Sequence, residues 1–294
     1  MAIYNLGSVN IDHVYRVPHL PEPGETLAST SFSSGLGGKG ANQSIALAKA
    51  GGQVFHIGAI GEDGRWLADQ MADAGVDTQY LSVIDVPTGH AIINVDDEAE
   101  NVIVLFTGAN RALTEDMVNE ALSDAGTGDW LLLQNETNLG VYAAKAAKAK
   151  GLRVAYAAAP FDAEAAIEML PVTDLLAVNH IEAAQLSKAL GVAATDLPVS
   201  QVLITHGADG ASLRSGGEEI FVDAFKVDPV DTTGAGDTFL GFFLAALDLG
   251  QSAKDALGFA SAASAIQVTK VGAAAAIPSA EEVEKFLQEA QRVR

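Results

Sequence analysis

The sequence predicts a three-layer α/β protein: a mostly parallel sheet covered by helices on both faces, with a small β-sheet lid. Three observations carry this. From about Asn110 onward, the strand-like runs WLLLQNE, RVAYAAA, DLLAVN and QVLITHG alternate with alanine-rich segments of helical spacing, which is how parallel strands buried on both faces read. Two earlier segments, residues 12–34 and 88–106, interrupt that rhythm with paired runs of strand-like alternation. Hydrophobic residues make up 49% of the 294 residues and charged residues 19%, so the chain is expected to be a folded, soluble protein that buries a sizeable core.

The elements follow in order. IYNLGSV (Ile3–Val9) reads as a short buried strand. It leads into DHVYRVPHLPEPGETLASTSFSSG, where Pro18, Pro21, Pro23 and Gly24 separate strand-like Val14–Val17 from Thr26–Phe32, a hairpin that leaves the core and returns. ANQSIALAKAG has helical spacing and stops at Gly51-Gly52. VFHIGAIG is a buried strand, and GRWLADQMADAG a helix ending at Gly75. TGHAIINVDDEAENVIVLF gives two strands around an acidic turn, Asp96 to Glu100. After the alternating half, EEIFVDAF adds a strand or hairpin, and two or three helices close the chain. This divides the chain into a core (1–11, 35–87 and 107–294) and a lid (12–34 and 88–106). Trp66, Trp130 and the scattered phenylalanines are expected in the core, and the six histidines, which lack metal-ligand spacing, are expected to be structural or exposed.

Charge narrows the function classes. Lys and Arg total 17 against 38 Asp and Glu, a formal net charge of −21. Such a surface repels nucleic acid and anionic membranes, so a site for an anionic ligand must be built locally from backbone N–H groups and a few cations. The chain has no cysteine, which excludes disulfides, thiolate zinc sites and a cysteine nucleophile. The N-terminal stretch has neither a basic leader nor an apolar signal core, and no apolar run is long enough to span a membrane, so a cytoplasmic protein is expected.

Two glycine-rich stretches carry the chemistry. SSGLGGKGANQS contains G-x-G-x-x-G at Gly35, Gly37 and Gly40, and Glu62-Asp63 follows at a distance that suits the ribose ligand of a dinucleotide fold. That fingerprint should follow the first strand directly, whereas here all of residues 12–34 intervene. Lys39 is not followed by Ser or Thr, so it is no Walker A lysine either. The second stretch is VDTTGAGDTFLGFFLAAL (Val230–Leu247). Gly234, Ala235 and Gly236 let the backbone approach a ligand, and Asp237 opens a long apolar helix whose first N–H groups form an anion site suited to a phosphate in transfer. Ordinary helix capping explains one such aspartate but not two flanking T-T-G-A-G. The helix N-terminus is expected to depress the Asp237 pKa and keep it ionised at neutral pH.

D-T-x-G-A-G-D at a helix start, with G-G-K-G-A-N-Q near residue 40, resembles the ribokinase-like (PfkB) carbohydrate kinase family. The resemblance runs nearly end to end through GSVNIDHV, PEPGET, GEDGRW, ENVIVLFTGANRAL, NHIEA, LITHGADGA and AAAIPSAEEVEKFL. It implies ATP-dependent phosphoryl transfer to a small sugar, ribose at its 5-hydroxyl being the leading substrate. Asp237 would be the general base, and Gly234, Ala235 and Gly236 the anion hole. Asn10, Asp12, Gly38, Lys39, Asn42 and Glu136 would hold the sugar. Asn179 and Glu182, whose spacing also reads as a capping box, would position phosphate and, through water, Mg²⁺. Thr205, Gly207, Gly210, Gly236 and Ser261 would contact the nucleotide. A monovalent-cation site for K⁺ would use mostly carbonyl oxygens at Asp231, Thr233, Gln267, Lys270, Gly272 and Ala276. The chain departs from the family at Ala276, which stands for a serine, and at Tyr156-Ala157, where an asparagine is expected. Fructose, adenosine and pseudouridine stay open as substrates, as does a catalytically silent sugar- or nucleotide-binding regulator. The lid sheet could pair two chains into a homodimer.

Overall fold

Strand β1 (Ala2–Leu6) lies inside a nine-stranded sheet, parallel to β4 (Gln53–Ile60) on one side and β8 (Trp130–Leu133) on the other. Its alternation explains that place: Ile3 is buried in one core, Tyr4 and Leu6 in another on the opposite face. β8 divides the same way, Trp130 and Leu132 against Leu131 and Leu133. The computed structural model describes every residue except 99, 194–195 and 293–294, so Ala99 of the acidic turn lies outside the described residues. The remaining strands are β5 (Leu81–Val83), β9 (Arg153–Ala157), β10 (Leu175–Asn179), β11 (Gln201–Thr205), β12 (Gly210–Ser215) and β13 (Glu218–Asp223). In space they run β13-β12-β11-β10-β9-β8-β1-β4-β5. From β11 to β5 all neighbours are parallel, and β12 and β13 extend one edge as an antiparallel hairpin.

Helices cover both faces, as parallel strands require. α1 (Lys39–Lys49), α2 (Arg65–Asp73), α7 (Ala235–Asp248), α8 (Ala253–Val268) and α9 (Ala280–Arg292) pack on the first core. On the second lie α3 (Glu115–Ser123), α4 (Gly140–Ala149), α5 (Ala163–Met169) and α6 (His180–Leu190). Among the described residues no helix is long and apolar enough to cross a membrane.

A separate four-stranded sheet, ordered β3-β2-β6-β7, is made of β2 (Asn10–Arg16), β3 (Ser31–Gly37), β6 (Gly89–Val95) and β7 (Asn101–Phe106). Its strands begin and end elsewhere than the alternation suggests. β2 starts at Asn10 rather than Val14, and β3 spans Ser31–Gly37 rather than Thr26–Phe32, with Asn10 opposite Gly37 and Arg16 opposite Ser31. Residues 17–30 form a loop, because Pro18, Pro21 and Pro23 have no N–H to give to a ladder. This sheet also corrects the expected core. Trp130 and Phe242 are buried and Trp66 packs half-buried against the core, but Phe32, Phe106 and Phe221 are exposed, the first two on this sheet.

α1 and α7 approach unusually closely. A Cβ at Gly241 would sit 2.4 Å from Ala46 Cβ and 3.0 Å from the Leu47 nitrogen, so only glycine lets the two helices meet at that height. Gly241→Leu should overpack this contact and lower stability by about 1–3 kcal/mol, read as a reduced midpoint with unchanged slope in urea unfolding.

Candidate active site

The N-termini of α1 and α7 point at the same place. Gly38 takes φ 94° just before α1, and Gly234 takes φ 75° just before α7, left-handed conformations that favour glycine. At α1 the leading N–H groups are already taken, Lys39 by Glu136, Gly40 by the Ser8 hydroxyl and Ala41 by Ser8 O. At α7 no side chain caps the first turn, and among the described residues the N–H groups of Gly236 and Asp237 stay available. Asp237, in the first turn of α7, is buried. Its carboxylate accepts Gln43 Nε2 at 2.8 Å and Asn42 Nδ2 at 3.2 Å, both from α1. Gln43 Oε1 accepts Gln134 Nε2 at 2.6 Å, and Gln134 Nε2 also reaches Asn5 Oδ1 at 2.8 Å. Asn5 Nδ2 donates to Ser44 Oγ, which meets His56 Nδ1, both at 2.8 Å. A buried polar chain thus runs from Asp237 across the ends of β1 and β8. Burial holds the His56 pKa down at about 4, so it belongs to this chain as a neutral imidazole.

The Asp237 pKa is raised, contrary to the sequence expectation. Burial is the dominant cause; the Lys39 charge and the bonds from Gln43 and Asn42 pull it down without cancelling that effect, and Glu136 adds repulsion. Burial governs the sign because α1 and α7 close around the carboxylate and leave it little access to water.

The sugar candidates gather beside this carboxylate. Glu136 Oε2 accepts the Lys39 backbone N–H at 3.0 Å and the Ser8 hydroxyl. Asn10 Oδ1 accepts Asn110 Nδ2 at 2.7 Å, and Asn110 Oδ1 accepts the Val9 N–H at 2.9 Å. Asp12 lies so close to β3 that a Cβ at Gly37 would fall 2.1 Å from its carboxylate. Burial and the neighbouring Glu136 push its pKa up to about 6. Three acids therefore face the region, with Lys39 as the cation that acts on Asp237.

A cavity of about 210 Å³ is lined by Lys39, Gln43, Ala157, Asn179, Glu182, Thr205 and the run from Gly234 to Asp237. Asn179 and Glu182 do form the capping box: Asn179 Oδ1 accepts the Glu182 N–H at 2.9 Å and Glu182 Oε2 accepts the Asn179 N–H at 2.8 Å. They line the cavity as well, so capping and ligand contact are compatible. Gly207 and Gly210 lie in the turn after β11, and Ser261 on α8 bonds Asp223 O at 3.5 Å; none of the three lines this cavity. Tyr156 and Ala157 divide by strand alternation: Ala157 lines the cavity, while Tyr156 faces the other core.

Behind the anion-hole residues, the cation candidates form a tied pair of loops. Asp231 accepts the N–H groups of Thr233 and Gly272, both at 2.9 Å, and Gln267 Nε2 donates to Thr233 O at 2.9 Å. Gln267 Oε1 is buried without a partner. Lys270 points its ammonium to Glu282 at 3.1 Å, and Ala276 is buried. The sequence reading missed Gln43, Gln134, Asn5, Ser8 and Asn110. Their signal was a polar residue standing inside an apolar strand or next to a named motif residue.

The chain matches the model for pfkB family carbohydrate kinases over residues 3–280. It is 39% identical over 300 residues to ribokinase of Haemophilus influenzae, covering 97% of this chain and 98% of that protein. With ribokinase of Bacillus subtilis it shares 33% over 290 residues, 96% and 98% of the two chains. The structure of Arabidopsis thaliana ribokinase complexed with ribose and ATP is similar at a TM-score of 0.85 and 32% identity, over 98% of both chains. Ribokinase of Thermotoga maritima gives 0.88 and 34%, over 98% and 99%. A nucleoside kinase from Methanocaldococcus jannaschii shares the fold at 20% identity and a TM-score of 0.84.

Because Lys39 favours the ionised form of Asp237, Lys39→Met should raise the Asp237 pKa further. The acidic limb of the kcat profile then moves to higher pH, and an unmoved limb would show that Asp237 does not set it. The glycine loop, the helix-borne aspartate and the end-to-end match agree: this chain belongs to the pfkB family of carbohydrate kinases.

Proposed function

We propose that the protein transfers the γ-phosphoryl group of ATP to the 5-hydroxyl of ribose. The observation that carries this is the placement of Asp237: a buried carboxylate at the N-terminus of α7, beside the backbone run Gly234–Gly236 and bonded to α1 by Asn42 and Gln43. The ribokinases to which the chain is similar support ribose as the acceptor.

Asn10, Asp12, Asn42 and Glu136 take the sugar hydroxyls. Asn42 Oδ1 is a buried acceptor without a partner, which a sugar hydroxyl supplies. Gln43 and Asn42 fix the carboxylate of Asp237 toward the 5-hydroxyl. As a P–O bond forms between that oxygen and the γ-phosphorus, the bond to the β-phosphate bridge breaks and ADP leaves. Asp237 accepts the hydroxyl proton, and its raised pKa makes it a better acceptor than a solvated carboxylate. The N–H groups at the start of α7 receive the charge that spreads over the transferred oxygens. Thr205, Gly207, Gly210 and Ser261 contact the nucleotide. The four-stranded sheet closes over the sugar as a lid and keeps water out.

Two ions fit the residues present. Among the described residues Glu182 Oε1 makes no hydrogen bond while Oε2 holds the Asn179 N–H, leaving a hard oxygen on the cavity for Mg²⁺, held through water; Mg²⁺ supplies charge neutralisation at the phosphates. The orphaned Gln267 Oε1, with the carbonyls near Asp231, Thr233, Lys270, Gly272 and Ala276, suits K⁺, which would stiffen the loop under Gly234. The exposed side chains Val102, Val104 and Phe106 share one face of the sheet with Phe32 through the register of β7, β6, β2 and β3, a face that a second copy of the chain would cover, giving a homodimer through the lid.

Asp237→Asn should lower kcat by roughly 10²–10⁴ with folding and ATP binding nearly unchanged; near-native turnover removes the base assignment. In a panel of ribose, fructose, adenosine and pseudouridine with MgATP, ADP release should be fastest with ribose and faster in K⁺ than in its absence. Preference for another acceptor transfers the substrate reading to it, with Ala157 the first residue to examine. No turnover with any member supports a silent binding protein.

A further inference from the structure

A larger cavity, about 440 Å³, lies on the other side of the sheet from Asp237. It opens at the C-terminal ends of β8 and β9 between the start of α4 and one side of α5. Its walls are chemically unequal. On one side stand Arg111 and the first turn of α4, where no side chain caps the helix and Gly140 leaves open space at its Cβ. Among the described residues Arg111 makes no ion pair; its hydrogen bond runs from Nη2 to Asn135 O at 3.0 Å. Thr137, 7% exposed, lines the same wall with Oγ1 unpartnered. On the α5 side the lining includes Glu168 and Asp162, whose Oδ1 accepts the Ala165 N–H at 2.8 Å while among the described residues its second oxygen makes no hydrogen bond.

A guanidinium fork beside free helix N–H groups suits a phosphate, while carboxylates across the cavity accept hydroxyls and repel a second anion. We propose that this cavity binds a small hydroxylated phosphate monoester, and that its occupant is an effector of sugar binding.

The link to the sugar region is short and physical. Asn135 accepts the Tyr156 hydroxyl at 2.6 Å and donates to Pro160 O at 2.9 Å on the cavity side. Its neighbour Glu136 turns the other way, to Ser8 and the Lys39 N–H. Arg111 likewise follows Asn110, which bonds Asn10 Oδ1 at 2.7 Å. An occupant that draws Arg111 away from the Asn135 carbonyl therefore acts on the loops carrying Asn10 and Glu136. Ligands shift such an equilibrium only through differential affinity, and Arg111 is the group whose partners would differ.

The test is calorimetric titration of the whole protein with glucose 6-phosphate, first with the Asp237 region filled by ribose and Mg²⁺ with the non-hydrolysable ATP analogue AMP-PNP. Saturable binding that persists with that region filled, and weakens at least tenfold in both Arg111→Ala and Ala165→Phe, is expected; the larger ring of the second variant would occupy the cavity without touching the sugar residues. A second arm titrates ribose alone with and without glucose 6-phosphate, where the ribose Kd should change about fivefold or more. Absent binding, equal binding in all three proteins, or binding abolished by the filled Asp237 region overturns the site. Binding with an unchanged ribose Kd overturns the effector role. The variant comparison is made without any acceptor as well, so a failure of the ribose reading, seen as no ribose binding in either condition, is told apart from a failure of the cavity.

Discussion

A buried carboxylate held between two helix N-termini is the constraint on which the rest of the structure depends. Asp237 belongs to α7, yet both of its side-chain hydrogen bonds come from α1. An acid enclosed in this way is costly unless its partners are fixed, so the two helices must meet at one height and angle. Gly241 against Ala46 supplies the approach. Gly38 and Gly234 supply the left-handed entries that aim both first turns at the same point. The parallel sheet beneath serves the same end, since strand ends collect at one edge and bring Gln134 and Asn5 under Gln43.

That polar chain gives the acid its character. Gln43 donates to Asp237 while its own oxygen is held by Gln134, so its orientation is determined from both ends. Burial raises the proton affinity of the carboxylate, and Lys39 limits the rise. Glu136 lies close enough to repel both Asp12 and Asp237, and three acids so placed suit a ligand with many hydroxyl donors. In a chain with net charge −21, the affinity for phosphate is consequently local, built from backbone N–H groups, and the surface field opposes it.

Much of this was legible in the sequence, and the parts that were not share a cause. Alternating strand and helix runs foretold the parallel sheet, and two glycine-rich stretches foretold the helix starts, because backbone freedom and period are local properties. The position of residues 12–34 ruled out a dinucleotide loop for a topological reason visible without coordinates. The sign of the Asp237 shift was missed because it depends on enclosure by α1, far away in sequence. Gln134 and Asn5 were missed because a single polar residue in an apolar strand shows no partner until strands are paired. Phe32 and Phe106 were placed in the core on composition, yet they sit on a thin sheet without a helix behind them, where an aromatic has nothing to bury it.

Strand alternation has a further effect at the edge where β8 and β9 end. In the turn just after β8, Asn135 lines one cavity while Glu136 bonds Ser8 and the Lys39 N–H on the sugar side. One strand over, Tyr156 and Ala157 divide in the same sense. Tyr156 and Ala157 thus have separate consequences on the two sides of the sheet. Ala157 lines the cavity with Asp237, whereas Tyr156 donates its hydroxyl to Asn135, whose neighbour is Glu136. The peptide joining Asn135 to Glu136 is the shared backbone through which the proposed occupant of one cavity acts on the other side of the sheet.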